Sequence, residues 1–344
     1  MVVQPFVPLF RNPHLSTIAG NFWRRTLDEQ RFPVTEQLYN TEPGVQVLVH
    51  SQLPDPAAKA QLILVHGLEG SSQAGYARSL AQAALTSGYS VHRYNMRSCG
   101  GTEAICGPQL YHSGQTSDLL AVIREIAATT DCPIYLAGFS LGGNVVLKLA
   151  GELGDSAREL IAGVIAVSTP IDLAACSREL KKPINLIYSW RFLDRLKKRI
   201  RLKEQLSPGL FNMRHLDAAK TVYDFDHLFT AQSFGFGSAD NYYATQSSNQ
   251  FLDRIRVPAL ILHAKDDPLV PFAVYNHPAF ARNPFLHLVA VEHGGHLGFL
   301  SRRRPRFWLD GLLIEWLEEN TRESQAGDGP ASESRNKLTA NSVL

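Results

Sequence analysis

Short runs of Val, Ile and Leu, each closed by turn residues, alternate along the chain with longer segments whose apolar positions recur at helical spacing. The runs at 45–50, 61–66, 89–94, 134–139, 161–168, 258–263 and 285–291 read as strands. Several are apolar at nearly every position, the pattern of strands covered on both faces. Between them, 74–87, 115–129, 141–153 and 306–320 carry the spacing of amphipathic helices. Strand–helix alternation of this kind predicts an α/β fold, with a mostly parallel central sheet flanked by helices on both faces.

One stretch breaks the rhythm. Residues 171–252 hold no clear strand and many aromatics, and 182–203 reads as a helix with a strongly basic side. An insertion between two strands, helical and aromatic, suits a lid over a pocket at the strand ends. The expected organisation is a core from 1–170 and 253–320, a helical cap at 171–252, and a disordered tail at 321–344, which is rich in Ser, Glu, Asn, Gly and Ala. No internal repeat is evident.

Composition narrows the partners. The chain has 344 residues, 44% of them hydrophobic, enough for a sizeable core. A net charge of +2 is too balanced to imply a nucleic-acid partner, and none is expected. The four cysteines, Cys99, Cys106, Cys132 and Cys176, show neither CxxC pairing nor metal-ligand spacing and read as reduced thiols. The opening MVVQPFVPLFRNPHL lacks the charge and apolar run of a secretory signal, and no run of membrane-spanning length occurs. A cytoplasmic protein is expected.

The strongest chemical signal is Gly138-Phe139-Ser140-Leu141-Gly142. It follows an apolar strand and opens a helix, the strand–turn–helix setting in which G-x-S-x-G lifts a serine hydroxyl to the top of a sheet. Glycines two before and two after the serine let strand and helix approach closely. A serine hydroxyl is a weak nucleophile and needs a positioned base with a carboxylate to hold it. Carboxylates follow the strand at 258–263, in His263-Ala264-Lys265-Asp266-Asp267-Pro268. Histidines follow the strand at 285–291, in Glu292-His293-Gly294-Gly295-His296. Asp267, directly before a Pro-Leu-Val-Pro turn, is favoured over Asp266. His296, carried back over the sheet by two glycines, is favoured over His293. For the oxyanion, the N–H of Leu141 and that of Leu68, in the His66-Gly67-Leu68-Glu69-Gly70 loop, are the expected donors.

Taken together the chain resembles the YheT-like branch of the α/β-hydrolases. The resemblance runs through residues 11–18 (RNPHLSTI), 66–72 (HGLEGSS), 95–101 (NMRSCGG), 111–119 (YHSGQTSDL), 138–144, 225–231 (FDHLFTA), 240–243 (DNYY) and 294–299 (GGHLGF). Gln115 stands where an acidic residue is expected, and Ser98 where glycine is common. The resemblance implies Ser140, Asp267 and His296 as the triad and hydrolysis of carboxylic or lipid esters. No cofactor and no metal are expected.

Other readings compete at single features. His293 and His296, with His263 and Asp266 nearby, have the look of a metal pair, but a metal hydrolase needs ligands on rigid elements with an ordered outer shell. Cys99 reads as structural rather than reactive. The basic amphipathic stretch 191–203 is either a solvated face or a peripheral contact with anionic lipid. An acyltransferase using an alcohol in place of water, and a binding protein that keeps the fold without the chemistry, are the alternatives to an esterase. Oligomeric state is not encoded in any visible pattern.

Overall fold

The computed structural model describes residues 5–54, 57–108 and 110–326. Eight strands form one sheet: β1 (Thr35–Glu42), β2 (Val45–Gln52), β3 (Gln61–Val65), β4 (Ser90–Tyr94), β5 (Ile134–Phe139), β6 (Gly163–Val167), β7 (Ala259–Ala264) and β8 (Leu286–Val291). Their spatial order is β1-β2-β4-β3-β5-β6-β7-β8; β2 runs antiparallel to both neighbours and every other pairing is parallel. β1 had no counterpart in the apolar pattern. Its sequence, TEQLYNTE, lies at the sheet edge with only Tyr39 fully buried, so it carries no apolar run.

Helices of eight residues or more are α1 (Pro13–Phe22), α2 (Gly75–Thr86), α3 (Ser117–Ala127), α4 (Leu141–Leu153), α5 (Leu173–Leu180), α6 (Leu186–Leu206), α7 (Ala239–Gln246) and α8 (Trp308–Ala326). Strand residues alternate between two cores. Ile63, Val65, Leu136, Val164 and Ile261 pack with α3 and α4 on one face. Leu62, Leu64, Ala137, Ile165 and Leu260 pack with α2 and α8 on the other. Burial on both faces explains why these strands read as unbroken apolar runs.

Between β6 and β7 the described chain is helical, with α5, α6, α7 and several shorter helices. It builds apolar clusters of its own, one around Leu193, Leu196, Ile200 and Phe225, another around Leu173, Tyr242 and Tyr243. α8 continues to Ala326, into the stretch expected to be a tail; residues 327–344 lie outside the described residues. No described helix is long and apolar enough to cross a membrane. All four cysteines are free.

The topology fixes where chemistry can happen. From β3 the chain crosses to β4 on one side, and it then returns to β5 on the other. The strand ends flanking this reversal, with those of β7 and β8, lie along one edge, where loops can meet in a crevice.

Candidate active site

Ser140 follows β5 directly and caps α4, with φ 52° and ψ −120°. A left-handed backbone at a serine is strained, and the close fit around it holds it there. A side chain at Gly138 would run into Gly142, and one at Gly142 would come within 2.6 Å of the His66 carbonyl. The Ser140 N–H donates to the Val167 carbonyl at 2.8 Å, pinning the turn to β6.

Ser140 Oγ lies 3.0 Å from His296 Nε2, and His296 Nδ1 lies 2.8 Å from Asp267 Oδ2. A buried carboxylate can only accept, so Nδ1 carries the proton and Nε2 is left to accept from the serine hydroxyl. Asp267 is itself fixed, its Oδ1 accepting the Leu269 and Val270 N–H groups at 2.8 and 3.0 Å. Burial pushes the Asp267 carboxyl up. The charge and hydrogen bond of His296, with His263 and the Leu269 N–H, outweigh burial and hold it below the ordinary carboxylate value.

The competing pair has a different arrangement. Asp266 Oδ2 meets His293 Nδ1 at 3.1 Å, and Oδ1 accepts the Gly294 and Gly295 N–H groups, both at 2.9 Å. His293 and Asp266 thus fold the loop that delivers His296. Among the described residues no group of three or more His, Cys, Asp or Glu side chains is disposed to hold a metal ion.

That loop is held from the far end of the chain. The His296 N–H donates to Thr17 Oγ1 at 2.8 Å, and the Thr17 hydroxyl donates to the Pro13 carbonyl at 2.7 Å. α1 can lie this close because Gly20 has no side chain: a Cβ there would sit 2.6 Å from the Gly298 Cα. Gly295, at φ 59°, turns the loop where it meets α1.

Across the cleft, the loop after β3 runs beside the serine. Gly67 N–H donates to Tyr76 Oη at 2.9 Å and Glu69 N–H to Tyr111 Oη at 2.8 Å. Among the described residues no acceptor faces the N–H of Leu68 or of Leu141, and both residues border Ser140 in the same cavity. His66 shapes the loop from beneath, with Nε2 accepting the Met96 N–H at 3.1 Å and Nδ1 lying 2.8 Å from the Gly67 carbonyl. Burial lowers it to about 4, so it stays neutral.

Glu69, left-handed at φ 53°, is clamped from the insertion. Arg199 on α6 meets its carboxylate through two contacts, at 2.8 and 2.9 Å, and Tyr111 Oη donates to it at 2.9 Å. Two cations of the 191–203 stretch are therefore not solvated. Arg199 is spent on Glu69, and Lys203 is buried against the Gly107 carbonyl at 2.6 Å and Cys106 Sγ at 3.0 Å. Cys99 is fully buried, and burial pushes its thiol far up.

Two spaces meet at Ser140 and His296. The inner one, about 110 Å³, runs under the insertion between apolar side chains such as Leu141, Leu196, Val222 and Phe225. The outer one, about 540 Å³, opens between α1 and α6. Asp226, bordering the inner space, accepts from Tyr243 at 2.6 Å and Thr230 at 2.8 Å, and burial raises it to about 6. Asn144, beside the elbow, ties three segments together by donating to the Ser113 and Gln246 carbonyls and accepting the Ser248 N–H. The roles of Thr17, Tyr111 and Arg199 were not found by sequence reasoning, because each acts on a partner remote in sequence; that of Tyr76, nine positions from Gly67, follows no motif.

The α/β hydrolase fold family model matches residues 61–302. YheT of Escherichia coli (strain K12) is 32% identical over 91% of this chain and 92% of its own length. The chain belongs to the α/β-hydrolase family, on its YheT-like branch. This hydrolase is also similar to the monoacylglycerol lipase of Saccharomyces cerevisiae, 29% identical over 86% of this chain and 68% of that protein. Among solved structures, the Pyrococcus furiosus esterase Pf2001 aligns with TM-score 0.56 and 17% identity, covering 86% of this hydrolase and 98% of that chain. That likeness is one of fold.

Proposed function

We propose that this protein is a serine hydrolase cleaving carboxylic esters of acyl or lipid type through an acyl-enzyme. The observation that carries the reading is the unbroken line Ser140 Oγ–His296–Asp267, with bonds of 3.0 and 2.8 Å. His296 takes the hydroxyl proton as Ser140 Oγ attacks the carbonyl carbon, while Asp267 holds the imidazole and stabilises its charged form. The Leu68 and Leu141 N–H groups receive the developing oxyanion, each worth about 3 kcal/mol in the transition state. His296 then protonates the departing alcohol, and water attacks the acyl-enzyme by the same route in reverse.

The narrow apolar space suits an acyl chain and the wide outer cleft suits the alcohol portion and the incoming water. The similarity to a monoacylglycerol lipase supports an ester with lipid character. The test is turnover of a p-nitrophenyl ester series by wild type and Ser140→Ala. We expect kcat to fall by about 10⁴-fold or more in the variant; undiminished turnover would sink the assignment.

A further inference from the structure

α1 is amphipathic the wrong way round. It buries Ser16, Thr17 and Gly20 and presents Leu15, Ile18 and Phe22 to solvent, with Phe22 69% exposed. The approach to α6 and its first turns do the same, with Ile184, Ile187 and Trp190 outside and Trp190 68% exposed. The two helices adjoin. The His14 ring stacks on Tyr188 with centroids 5.7 Å apart, and the Arg191 guanidinium lies 5.4 Å over Phe22. Their outward sides thus make one apolar, aromatic face, of the kind that monomers seldom leave uncovered without use.

Two observations identify what covers it. Cations border the face: with Arg199 and Lys203 turned inward and Arg195 donating to the Glu69 carbonyl, Arg191, Lys198 and Arg201 remain along the outer side of α6, and the acid among them, Asp194, is paired with Lys198 at 2.7 Å. An aromatic–aliphatic face rimmed by arginine and lysine matches the acyl boundary and phosphates of an anionic membrane surface. Finally, the outer cleft leading to Ser140 opens within this face, between Ile18 and Phe22 on one helix and Tyr188 and Arg191 on the other. A protein partner seated there would close the entrance, whereas a bilayer would supply substrate through it.

We infer that the α1–α6 face docks on an anionic lipid bilayer, with Trp190, Ile187 and Leu15 entering the headgroup–acyl boundary. The contact is centred on the apolar start of α6 and on α1, not on the whole basic stretch 191–203. A lipid ester then moves from the bilayer to Ser140 without crossing bulk water. The route to Ser140 rests on the hydrolase reading; the docking itself does not.

The experiment is vesicle sedimentation with mixed phosphatidylcholine–phosphatidylglycerol against pure phosphatidylcholine. It compares wild type, Ser140→Ala, the double variant Ile187→Ser/Trp190→Ser, and Leu15→Ser. Wild type and Ser140→Ala should bind the mixed vesicles alike and lose most binding without phosphatidylglycerol. The double variant should bind at least about tenfold more weakly and Leu15→Ser a few-fold more weakly, both hydrolysing a water-soluble p-nitrophenyl ester within about twofold of wild type. Undiminished vesicle binding by the double variant would overturn the inference, as would a wild type that ignores both vesicles. So would a wild-type dimer that the same substitutions dissociate. Vesicle binding by a wild type that turns over no ester would support docking and count against the hydrolase reading alone.

Discussion

The clamp between Arg199 and Glu69 gives the sharpest quantitative expectation. Glu69 follows Leu68, the proposed oxyanion donor, and its backbone sits in the left-handed region at φ 53°. Such a conformation costs about 1–3 kcal/mol and persists only when its surroundings impose it. Here they are Tyr111 on the N–H, Arg195 on the carbonyl at 3.3 Å, and Arg199 on the carboxylate through two contacts. The Glu69 side chain is 4% exposed and that of Arg199 10%, so removing one partner strands a buried charge. Arg199→Met should therefore cost about 3 kcal/mol, the lower end for a broken buried pair, since Tyr111 still serves the carboxylate. With the loop released, the Leu68 N–H loses its aim and kcat on a soluble ester should fall about 10²-fold. Urea unfolding and steady-state kinetics on Arg199→Met, Glu69→Gln and the double variant form a cycle, in which the double variant should recover at least about 1 kcal/mol of the summed losses. Stability within about 0.5 kcal/mol of wild type, or full destabilisation with unchanged kcat, would refute the clamp's role in aiming the loop.

Two further expectations separate neighbours and set a pH response. Asp267→Asn should lower kcat about 10⁴-fold by disturbing the His296 tautomer, whereas Asp266→Asn, which loosens the loop, should cost about tenfold or less; the reverse order in steady-state assays would exchange their roles. Burial lowers His66 and His92 to about 4 and His112 to about 3, while it raises Asp226 and Asp310 to about 6. The histidines bind fewer protons folded than unfolded, so their contribution is lost as pH falls from about 6.5 toward about 4; the two carboxyls act oppositely between about 6 and about 4. At pH about 5, relative to about 8, the histidines remove about 6 kcal/mol and the carboxyls return about 3, a net loss of about 3 kcal/mol. Urea midpoints should drop accordingly, and a midpoint that rises toward pH 5 would refute the balance.

How much of this was legible beforehand follows from where each signal resides. Strands buried on both faces announce themselves as apolar runs, and 141–153 coincides with α4, Leu141–Leu153. β1 was silent because an edge strand with one buried side chain needs no apolar pattern. α1 was silent for the opposite reason: it buries its small polar residues and exposes its large apolar ones. At the site, Ser140, Asp267 and His296 each lie in a local motif. The choices between Asp266 and Asp267, and between His293 and His296, turn on a cross-pairing that adjacent residues cannot reveal. Glu69 with Arg199, 130 positions apart, and Thr17 with His296 leave no local trace. The basic stretch misled in part, because charge in a sequence carries no direction and Arg199 and Lys203 point inward.

The bond from the His296 N–H to Thr17 spans 279 positions and joins α1 to the loop after β8. As a nascent chain leaves the ribosome, the serine, its turn and most of the sheet can assemble while the proton acceptor is still unmade. The base then settles only against α1, made 279 positions earlier. Reactivity in this molecule is therefore withheld until two segments 279 positions apart meet.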